Sequence, residues 1–462
     1  MMNTFKFVLA AFSLSVLAAD AAEKPNIIIV MVDDMGFSDC GFNGGKVIQT
    51  PNIDTLARQG TTFDNFYVQS VCSTSRATLL TGRLPSRHGI YGALKTDSGF
   101  GLPLEERTMA QGLRSAGYTT AICGKWHLGE FEPAYRPMQR GFDHQYGLWY
   151  GQIEYFTHER GGGVDWYRDG KPLDEEGYAT QLIGQEAERL IREQPEDTPL
   201  FLFVAFNGVH GPFQAPESYM DRYANQGLTK ERQTMAAMLS SVDDAVGQVV
   251  AALEEKGQLD NTLIIFSSDN GGVMPGVYTS NEPLRAGKAT LYEGGIRSAA
   301  FAVWPGKISA GESVSDPVHI VDLYPTVLKL AGADLDQPLP VDGIDIMPLL
   351  TNGTPLDRDA ILTVGGGKKC AIRIGDWKLM RMGPGRLELY NLANDIGETR
   401  NIVASEPERT KRMLARLEAM MVGAVPPLKK VPAAGKGASA QKKGKHSKKG
   451  KHSKKGKRPN KR

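Results

Sequence analysis

The chain has 462 residues, 41% of them hydrophobic, and only four cysteines. A chain of this length and hydrophobic content can form two or three domains, or one large α/β domain with an appendage. So few cysteines in so long a chain exclude a small disulfide-stabilised scaffold. The formal net charge of +2 conceals a division, because residues 429–462 hold 15 Lys or Arg and no Asp or Glu, which leaves 39 basic against 52 acidic residues in the rest of the chain.

Residues 1–22 have the pattern of a secretory signal peptide. Lys6 precedes an apolar run from Phe7 to Ala19, and small residues follow as far as Ala22. The run is short for a bilayer crossing, so a retained membrane anchor is the less favoured alternative. We therefore expect an exported protein, periplasmic or secreted, with no transmembrane segment later in the chain.

The last predicted segment is a Lys-rich tail, 426–462. Its residues 442–447 recur as 448–453, and no apolar periodicity accompanies the repeat, so the tail is predicted to be disordered. Its charge suits polyanions such as nucleic acid, sulfated polysaccharide or an anionic envelope. A solvated tail without a dedicated partner is equally compatible with this composition.

The first predicted element of the body is a strand from Ile27 to Val32, whose unbroken apolar run is typical of a parallel sheet. Asp33 and Asp34 follow it, at the sheet edge where α/β proteins bind ligands. Neighbouring strand residues point to opposite faces, so both carboxylates reach one ion only if the chain turns there, which Gly36 permits. An exposed acidic turn is the alternative. A short helix is predicted at 52–58.

The stretch from Cys72 to Gly82 is the place where residue types and spacing most require a chemical explanation. It predicts a helix with Ser73 or Thr74 as the N-cap and Gly82 as the stop. Cys72 and Arg76 would then share one face of the first turn. The helix dipole and the guanidinium create a positive field that favours an anion beside the cysteine. A buried cysteine with a solvated arginine is the alternative.

A second polar segment, 124–129, follows a predicted helix at 108–116 and a predicted strand at 118–123. In an extended segment Lys125 and His127 face the same side. Together they provide a cation and a proton-transfer group for one anion, whereas a lone Lys or His there would be a surface residue.

The segment 141–160 is rich in aromatic residues. Such side chains stack on sugar rings in a cleft wall, and ordinary loop packing explains the composition equally well.

Two further buried strands are predicted to place polar residues at their carboxyl ends. The strand from Leu200 to Phe206 precedes His210, and the strand from Thr262 to Ser267 precedes Asp269 and Asn270. With the two carboxylates after the first strand, Asp269 and Asn270 supply four hard oxygen ligands, which suit Ca²⁺ ahead of Mg²⁺ and disfavour a soft metal.

The remaining elements follow from the same patterns. Helices are predicted at 178–192, 231–256, 322–331 and 406–421, and a strand at 299–304. Short alternating segments at 371–374, 377–380 and 388–392 predict antiparallel strands of a smaller subdomain. The predicted organisation is thus a signal peptide at 1–22, a catalytic domain at 23–341, a C-terminal subdomain at 342–425 and the tail at 426–462.

Several of these stretches resemble the type I sulfatases, in the order that this family shows. The segment from Cys72 to Arg76 resembles the family signature Cys-x-Pro-x-Arg, with Thr74 in the proline position, where family variants admit small residues. Gly-Lys-Trp-His-Leu-Gly at 124–129 matches residue for residue, and His210 and 285–297 lie in similar contexts. The resemblance extends over roughly 25–421.

Within the family, 208–217 and 282–288 are most similar to the arylsulfatase B, or N-acetylgalactosamine-4-sulfatase, group. The resemblance implies an alkaline-phosphatase-like α/β/α sandwich with a large mixed sheet, plus a smaller C-terminal antiparallel sheet with a packed helix. It also implies that a maturation enzyme oxidises Cys72 to formylglycine (3-oxoalanine), whose hydrated aldehyde is the nucleophile.

Hydrolysis of a sulfate ester requires neutralised sulfonyl oxygens, an activated nucleophile and a proton for the leaving alcohol. By analogy with the family, Arg76 steadies the modified residue, His127 assists sulfate release, and either His210 or Lys288 protonates the leaving oxygen. The expected ion ligands and neutralising cations are Asp33, Asp34, Asp269 and Asn270 around Ca²⁺, with Lys125 and Lys288.

The sequence therefore predicts a sulfatase acting on a sulfated carbohydrate, such as a galactosamine or galactose sulfate. An unmodified protein that binds sulfated glycans is one alternative, and a phosphodiesterase or phosphonate hydrolase of the same superfamily is another.

Overall fold

The computed structural model describes residues 24–96, 98–366 and 369–429. The predicted signal peptide and the tail from residue 430 onward lie outside these ranges. Within them, the strands are β1 (Asn26–Val32), β2 (Thr61–Phe63), β3 (Phe66–Tyr67), β4 (Thr119–Gly124), β5 (His144–Gly147), β6 (Glu159–Arg160), β7 (Gly163–Val164), β8 (Tyr167–Arg168), β9 (Lys171–Pro172), β10 (Leu200–Ala205), β11 (Thr262–Ser268), β12 (Arg297–Ser298), β13 (Ala300–Val303), β14 (Glu312–Val314), β15 (Val318–His319), β16 (Ile361–Val364), β17 (Cys370–Ile374), β18 (Trp377–Gly383) and β19 (Arg386–Asn391).

The α-helices of the described residues match the predicted ones to within one or two residues where a helix was predicted. They are α1 (Pro51–Arg58), α2 (Cys72–Thr81), α3 (Pro85–His88), α4 (Met109–Ser115), α5 (Ala179–Glu193), α6 (Glu217–Met220), α7 (Lys230–Glu255), α8 (Glu293–Ile296), α9 (Leu323–Leu330), α10 (Met347–Asn352) and α11 (Pro407–Met420).

The large sheet is mixed and has the strand order β14-β2-β13-β11-β1-β10-β4-β5-β8-β9. Its centre is parallel, with β1 between β10 and β11, whereas β13 pairs antiparallel with β11. Strand β1 is buried along its whole length because helices cover both faces. Ile28, Val30 and Val32 pack towards α5 and α7, while Ile27 and Ile29 pack towards α2, α4 and α9.

The register of the parallel strands brings the predicted polar residues to one edge. Val32 pairs with Ser268, so Asp33 and Asp269 leave the sheet side by side. Ala205 pairs with Gly124, which brings Lys125 to the same edge. Strand pairing thus places at one level residues that lie far apart in the sequence.

The smaller C-terminal sheet has the order β16-β17-β18-β19 and is antiparallel throughout. Helix α11 packs on one face through Met413 and Leu417, and the other face contacts the catalytic body through residues such as Met380. These two sheets confirm the predicted fold class. Strand β16 was not predicted, because its four residues lack the alternation seen in its neighbours.

A buried ionic cluster joins the two parts. The Lys378 Nζ of β18 lies 2.8 Å from a carboxylate oxygen of Glu293, at the start of α8, and 2.8 Å from one of Glu398. The hydroxyl of Tyr67 donates to Glu293 at 2.7 Å. All of these side chains are buried, so the cluster fixes α8 to the C-terminal sheet.

A second ionic group lies beside β5. The carboxylate of Glu186 accepts hydrogen bonds from His144 at 2.8 Å and from Arg189 at 2.7 Å. Burial by itself raises the pKa of Glu186, but these hydrogen bonds and nearby arginines outweigh it and lower the pKa to about 2.

Among the described residues, α7 is long and apolar enough to cross a membrane, but most of its length is buried inside the fold. It packs on α5 and α1 as a core helix. The four cysteines all belong to the described residues, and each is a buried free thiol.

Candidate active site

The loop after β1 gathers the first two carboxylates. Asp34 itself makes the turn, with φ of 61°, so the expectation that Gly36 provides it was wrong. Gly36 is needed because its backbone packs closely against Ser280, where a Cβ would lie 2.3 Å from the Ser280 carbonyl oxygen. The turn brings ligand atoms of Asp33, Asp34 and His210 within 4.8 Å of one another.

Two oxygen atoms in this group have no hydrogen-bond partner although they are buried. They are Asp33 Oδ1 and Asn270 Oδ1. The Asn270 amide group donates to Asp34 Oδ1 at 2.7 Å, which fixes Asn270 Oδ1 as the free acceptor. Asp269 Oδ1 accepts the backbone N–H of Asp34 at 3.4 Å. Unpartnered buried oxygens are costly unless a cation binds them, so this donor set fits a hard divalent metal.

Two buried cations brace the carboxylates from the side of the helix layer. Lys125 contacts Asp33, and the Arg76 guanidinium donates to Asp269 at 3.0 Å and to the carbonyl of Lys125 at 2.8 Å. Burial alone would raise the pKa of Asp33, but Lys125 and the other cations outweigh it and hold that pKa below its usual value.

A third cation, Lys288, lies on the more open side of the group. Its Nζ is 2.6 Å from one carboxylate oxygen of Asp34 and 2.8 Å from the other, and the imidazole Nε2 of His210 is 3.6 Å from the same carboxylate. Three carboxylates thus face three Lys or Arg side chains. A bound divalent ion would leave two net positive charges, which is the balance that an anionic ligand requires.

Cys72 is the first residue of α2. The N-cap is Val71, so the prediction of Ser73 or Thr74 as N-cap was wrong, whereas Gly82 ends the helix with φ of 67° as expected. The hydroxyls serve other backbone groups, because Ser73 Oγ accepts the Leu94 N–H at 3.0 Å and Thr74 donates to the carbonyl of Val71. Thr74 therefore fits the first turn without leaving a polar atom unpaired.

His127 is the group in contact with Cys72. Its Nδ1 is 3.2 Å from Cys72 Sγ, and its Nε2 is 2.9 Å from the carbonyl oxygen of Leu94. A carbonyl only accepts, so Nε2 carries the hydrogen in the neutral ring, and Nδ1 presents its lone pair to residue 72. Burial and the charge of Lys125 hold the pKa of His127 well below its usual value, which favours this neutral form.

The expected geometry of the Lys125–His127 segment differs from the observed one. The strand ends at Gly124, and His127 has φ of 56° instead of an extended conformation. Both side chains nevertheless reach the site, Lys125 at the carboxylates and His127 at Cys72. Gly151 packs against the imidazole, where a Cβ would lie 2.5 Å from His127 Cε1.

The Cys72 thiol is 2% exposed, and burial raises its pKa above the usual value despite the ammonium groups of Lys125 and Lys288. The unmodified side chain is therefore a poor thiolate nucleophile at neutral pH. The predicted positive field is present, but it does not overcome desolvation.

The aromatic segment 141–160 is mostly packed inside the protein. Trp149 stacks on Tyr167 with ring centroids 3.6 Å apart, and Tyr155 is buried. Tyr150 differs, because it is partly exposed and its ring contacts that of His127 edge-on at 5.4 Å. The Arg160 guanidinium also lies over the Tyr150 ring, 4.1 Å from its centroid. Of the two readings of this segment, loop packing therefore accounts for most residues, and Tyr150 lies beside the site.

The structure brings all ten sequence-predicted site residues into one region. They are Asp33, Asp34, Cys72, Arg76, Lys125, His127, His210, Asp269, Asn270 and Lys288. Sequence reasoning missed the carbonyl of Leu94, which sets the His127 tautomer, and the hydroxyl of Ser73, which holds Leu94. No sequence signal marks a backbone carbonyl, so the first could not have been found.

Comparison with known proteins bears on this geometry. The family model described as Sulfatase matches residues 25–333, more than half of the chain. Arylsulfatase J of Mus musculus is 33% identical over 87% of this chain and 77% of its own length, and the N-acetylgalactosamine-6-sulfatase of Mus musculus is 34% identical over 81% and 75%. The crystal structure described as Ps i-CgsB in complex with k-i-k-neocarrahexaose has a TM-score of 0.82 and 35% identity, covering 87% of this chain and 94% of that one.

Proposed function

The chain belongs to the sulfatase family, and we propose that it hydrolyses sulfate esters of a sulfated polysaccharide or oligosaccharide, using a formylglycine made from Cys72 and a bound Ca²⁺. As a member of this family it is a sulfuric ester hydrolase of the arylsulfatase type, which confirms the reaction class predicted from sequence. The substrate class, the modification, the ion and export to the periplasm or medium are the parts proposed.

A carbohydrate substrate is supported by what the relatives act on. One relative is named for an N-acetylgalactosamine sulfate, and the structural neighbour was solved with a neocarrahexaose. Both names point to sulfated galactose-type sugars.

The metal would be held by the carboxylates of Asp33, Asp34 and Asp269 and by the amide oxygen of Asn270. When bound, it supplies positive charge that polarises the sulfate oxygens and orients the nucleophile. The unpartnered oxygens Asp33 Oδ1 and Asn270 Oδ1 are the observation that favours it. Oxygen ligands suit both Ca²⁺ and Mg²⁺, and the number of protein ligands favours Ca²⁺, because Mg²⁺ keeps several waters and usually binds only one or two carboxylates.

The formylglycine, as a hydrated aldehyde, would supply an oxygen nucleophile that the buried thiol cannot. His127 is placed to accept a proton from residue 72, because its Nδ1 lone pair faces that side chain and the Leu94 carbonyl holds its Nε2–H. Arg76 donates to Asp269 and to the Lys125 carbonyl, and so fixes the positions of the carboxylates and cations relative to one another.

Lys125 and Lys288 would neutralise the sulfonyl oxygens, Lys125 from the buried side and Lys288 from the open side. His210 is partly exposed, and its Nδ1 lies 2.7 Å from the carbonyl of Gly211, so that nitrogen donates and the Nε2 edge is directed to the site. A protonated His210 can therefore donate to a leaving alcohol, with Lys288 as the other candidate for this step.

The proposal rests on the contact of Cys72 Sγ with His127 Nδ1. Cys72 lies at the first turn of a helix and is surrounded by three cations. The test is the mass of the tryptic peptide 59–76 from the purified chain, where an aldehyde in place of the thiol is expected. Cys72→Ala should abolish sulfate release from aryl sulfates and from sulfated galactans. Cys370→Ala, which removes another buried cysteine, should retain it. An intact thiol, or full turnover by Cys72→Ala, would exclude this mechanism.

A further inference from the structure

We propose that Arg160 and Asp165 are positioning residues for the reaction, because together they hold the segment 149–151 against the His127 imidazole. The inference rests on the proposed function, in which His127 accepts a proton from residue 72. The hydrogen bonds and ion pairs that the described ranges show for these two side chains all lie outside the proposed metal site and residue 72. Both side chains therefore act through His127.

The conformation of His127 is one that its surroundings must maintain. Its φ of 56° lies in the left-handed region, which is unfavourable for a residue other than glycine. Its Nδ1 faces Cys72 Sγ only while the ring keeps this orientation. The Leu94 carbonyl holds one ring nitrogen, but a single hydrogen bond leaves the ring free to tilt about it. A second set of contacts is needed to fix the imidazole.

The segment 149–151 provides these contacts. The Trp149 carbonyl accepts the His127 backbone N–H at 3.0 Å, and the Tyr150 ring meets the imidazole edge-on with ring centroids 5.4 Å apart. Gly151 packs so closely that a Cβ there would lie 2.5 Å from His127 Cε1. Three consecutive residues thus contact the backbone and the ring of His127. The position of the imidazole therefore depends on the position of this segment.

Asp165 fixes the segment through its backbone. Its Oδ1 accepts the Trp149 N–H at 3.3 Å, and its Oδ2 accepts the Tyr150 N–H at 3.0 Å. The Asp165 side chain is buried, so these hydrogen bonds form in a low-dielectric interior, where they are stronger than in water. One carboxylate thus holds two of the three residues that contact His127.

Arg160 joins the two sides of this arrangement. Its Nη2 donates to Glu130, three residues after His127, at 2.7 Å, and its Nε lies 3.3 Å from Asp165 Oδ2. The guanidinium also lies over the Tyr150 ring, 4.1 Å from its centroid. Burial raises the pKa of Asp165, and the charge of Arg160 opposes that rise. Arg160 thus favours the ionised carboxylate that accepts both N–H groups.

The hairpin of β6 and β7 presents the two side chains together. Its turn consists of Gly161 and Gly162, whose φ values are 60° and 87°. Positive φ at both central residues is the geometry of the type I′ turn, which suits a tight hairpin. The Asp165 backbone N–H donates to the His158 carbonyl at 2.9 Å and continues the pairing beyond β7. Arg160 and Asp165 therefore reach the segment beside His127 as one unit.

Stability alone does not explain this arrangement. A buried ion pair adds little net stability over an apolar pair of similar volume, because both charges lose their hydration. The hairpin that carries Arg160 is itself largely exposed and contributes little to the core. Buried charges that anchor an exposed hairpin beside His127 indicate that the orientation of the segment 149–151 matters for the reaction.

The experiment compares the unaltered chain with Asp165→Asn, Arg160→Met and a matched control, Asp243→Asn. Asp243 is also a buried carboxylate that accepts two consecutive backbone N–H groups, those of Asn52 at 3.2 Å and Ile53 at 2.8 Å. It anchors α1, which lies outside the site. The control therefore separates loss of stability from loss of positioning.

Two readouts are measured on each protein. Hydrolysis of nitrophenyl sulfate, normalised to the formylglycine content of the tryptic peptide that holds residue 72, gives kcat and KM. Nuclear magnetic resonance of protein with isotope-labelled histidine gives the imidazole Nε2–H signal of His127. That signal is assigned by its absence from His127→Ala, and the Leu94 carbonyl protects it from exchange in the unaltered protein.

For Asp165→Asn we expect kcat to fall by about 10- to 100-fold, because a displacement of about 1 Å at the group that transfers the proton costs that much. KM should stay within about twofold, because the cations that face the sulfate keep their own contacts. Arg160→Met should lower kcat by a smaller factor, since Asp165 keeps its two N–H partners. The His127 signal should broaden in both variants. Asp243→Asn should retain both kcat and the signal, even where its unfolding midpoint falls.

An unchanged kcat in Asp165→Asn would overturn the inference. A reduced kcat with an unchanged His127 signal would also overturn it, because the effect would then not pass through the imidazole, and an equal loss in Asp243→Asn would assign the effect to general destabilisation. If Asp165→Asn does not fold, the partly exposed Arg160 decides the question, and unchanged kcat and signal in Arg160→Met would refute the positioning role. If the unaltered chain hydrolyses no sulfate ester, the proposed function fails, and the His127 signal still tests the contacts of the segment separately.

Discussion

The unpartnered oxygens of the site predict a measurable stabilisation by Ca²⁺. A ligand that binds only the folded state at 100 times its Kd stabilises it by about 2.7 kcal/mol. With an unfolding entropy of about 2.1 cal/mol/K per residue, a folded body of roughly 400 residues has an unfolding entropy of about 0.84 kcal/mol/K. The unfolding midpoint should therefore rise by about 3 °C on saturation with Ca²⁺, and by less with Mg²⁺ at the same concentration.

The perturbation is Asn270→Ala, which removes one of the two buried oxygens that accept no hydrogen bond. Loss of one of the proposed ligands should weaken Ca²⁺ binding by about 100-fold. At the same Ca²⁺ concentration the stabilisation then falls to about 0.4 kcal/mol, or about 0.5 °C. Differential scanning fluorimetry of the chelator-treated protein, with and without added ion, measures both values.

Ser86→Ala is the matched control, because Ser86 Oγ is also buried without a partner but lies in α3, outside the carboxylate group. It should retain the full 3 °C response expected for the unaltered protein. A Ca²⁺ response in Asn270→Ala equal to that of the unaltered chain would refute the assignment of this oxygen to the metal.

Three further outcomes follow from the described contacts. Lys378→Met leaves buried carboxylates without their cation and should lower the free energy of unfolding by about 3–5 kcal/mol in urea titrations. Glu186 has a folded-state pKa of about 2, below its usual value, so its contribution is present above pH 4.5 and is lost as the pH falls towards 2. Glu186→Gln should remove about 1–3 kcal/mol of stability at pH 7 and flatten the acid limb of the stability curve. His210→Asn should reduce turnover of a sugar sulfate by about 10²–10⁴-fold and of a nitrophenyl sulfate by much less, because a good leaving group needs no proton.

Each of these has an internal comparison. Arg416 pairs with an exposed carboxylate on the same C-terminal subdomain, so Arg416→Met should cost less than about 1 kcal/mol, and a larger loss than Lys378→Met would contradict the burial argument. If Glu186→Gln and the unaltered protein unfold at the same acid pH, then His144 and Arg189 do not lower the pKa of Glu186. If Lys288→Ala shows the dependence on leaving group and His210→Asn does not, the proton comes from Lys288.

The sequence predicted the strands and helices that place the site, because long apolar runs and capped helices are decided locally. It predicted the carboxylates and Asn270 for a related reason, since polar residues at the carboxyl ends of parallel strands meet at one edge. Cys72 and Arg76 were predicted from the first turn of a helix, and His210 and Lys288 from the resemblance. Their identification as a sulfatase site came from the resemblance, which the family match confirms.

What the sequence could not predict depends on partners distant along the chain. The hydroxyls after Cys72 suit an N-cap in isolation. In the fold, however, the Ser73 hydroxyl accepts the Leu94 N–H, and the Thr74 hydroxyl donates to the Val71 carbonyl. The turn lies at Asp34, while Gly36 is required for a different reason, the close approach of Ser280, which is 244 residues away in the sequence. Two-residue strands such as β12 and β15 form only because they pair with β3, so no hydrophobic periodicity in the sequence predicts them.

The ionic cluster around Glu293 makes the C-terminal sheet inseparable from the catalytic body. A truncated chain that ended before Lys378 would leave the Glu293 carboxylate, at the start of α8, inside the protein without its countercharge. Lys288 lies five residues upstream of Glu293, so one of the groups that faces the ligand depends on a strand made nearly a hundred residues later. Ribosomal synthesis must therefore have passed Lys378 before this pocket can take its final shape, and shortening the protein to an isolated domain is a poor strategy for engineering it.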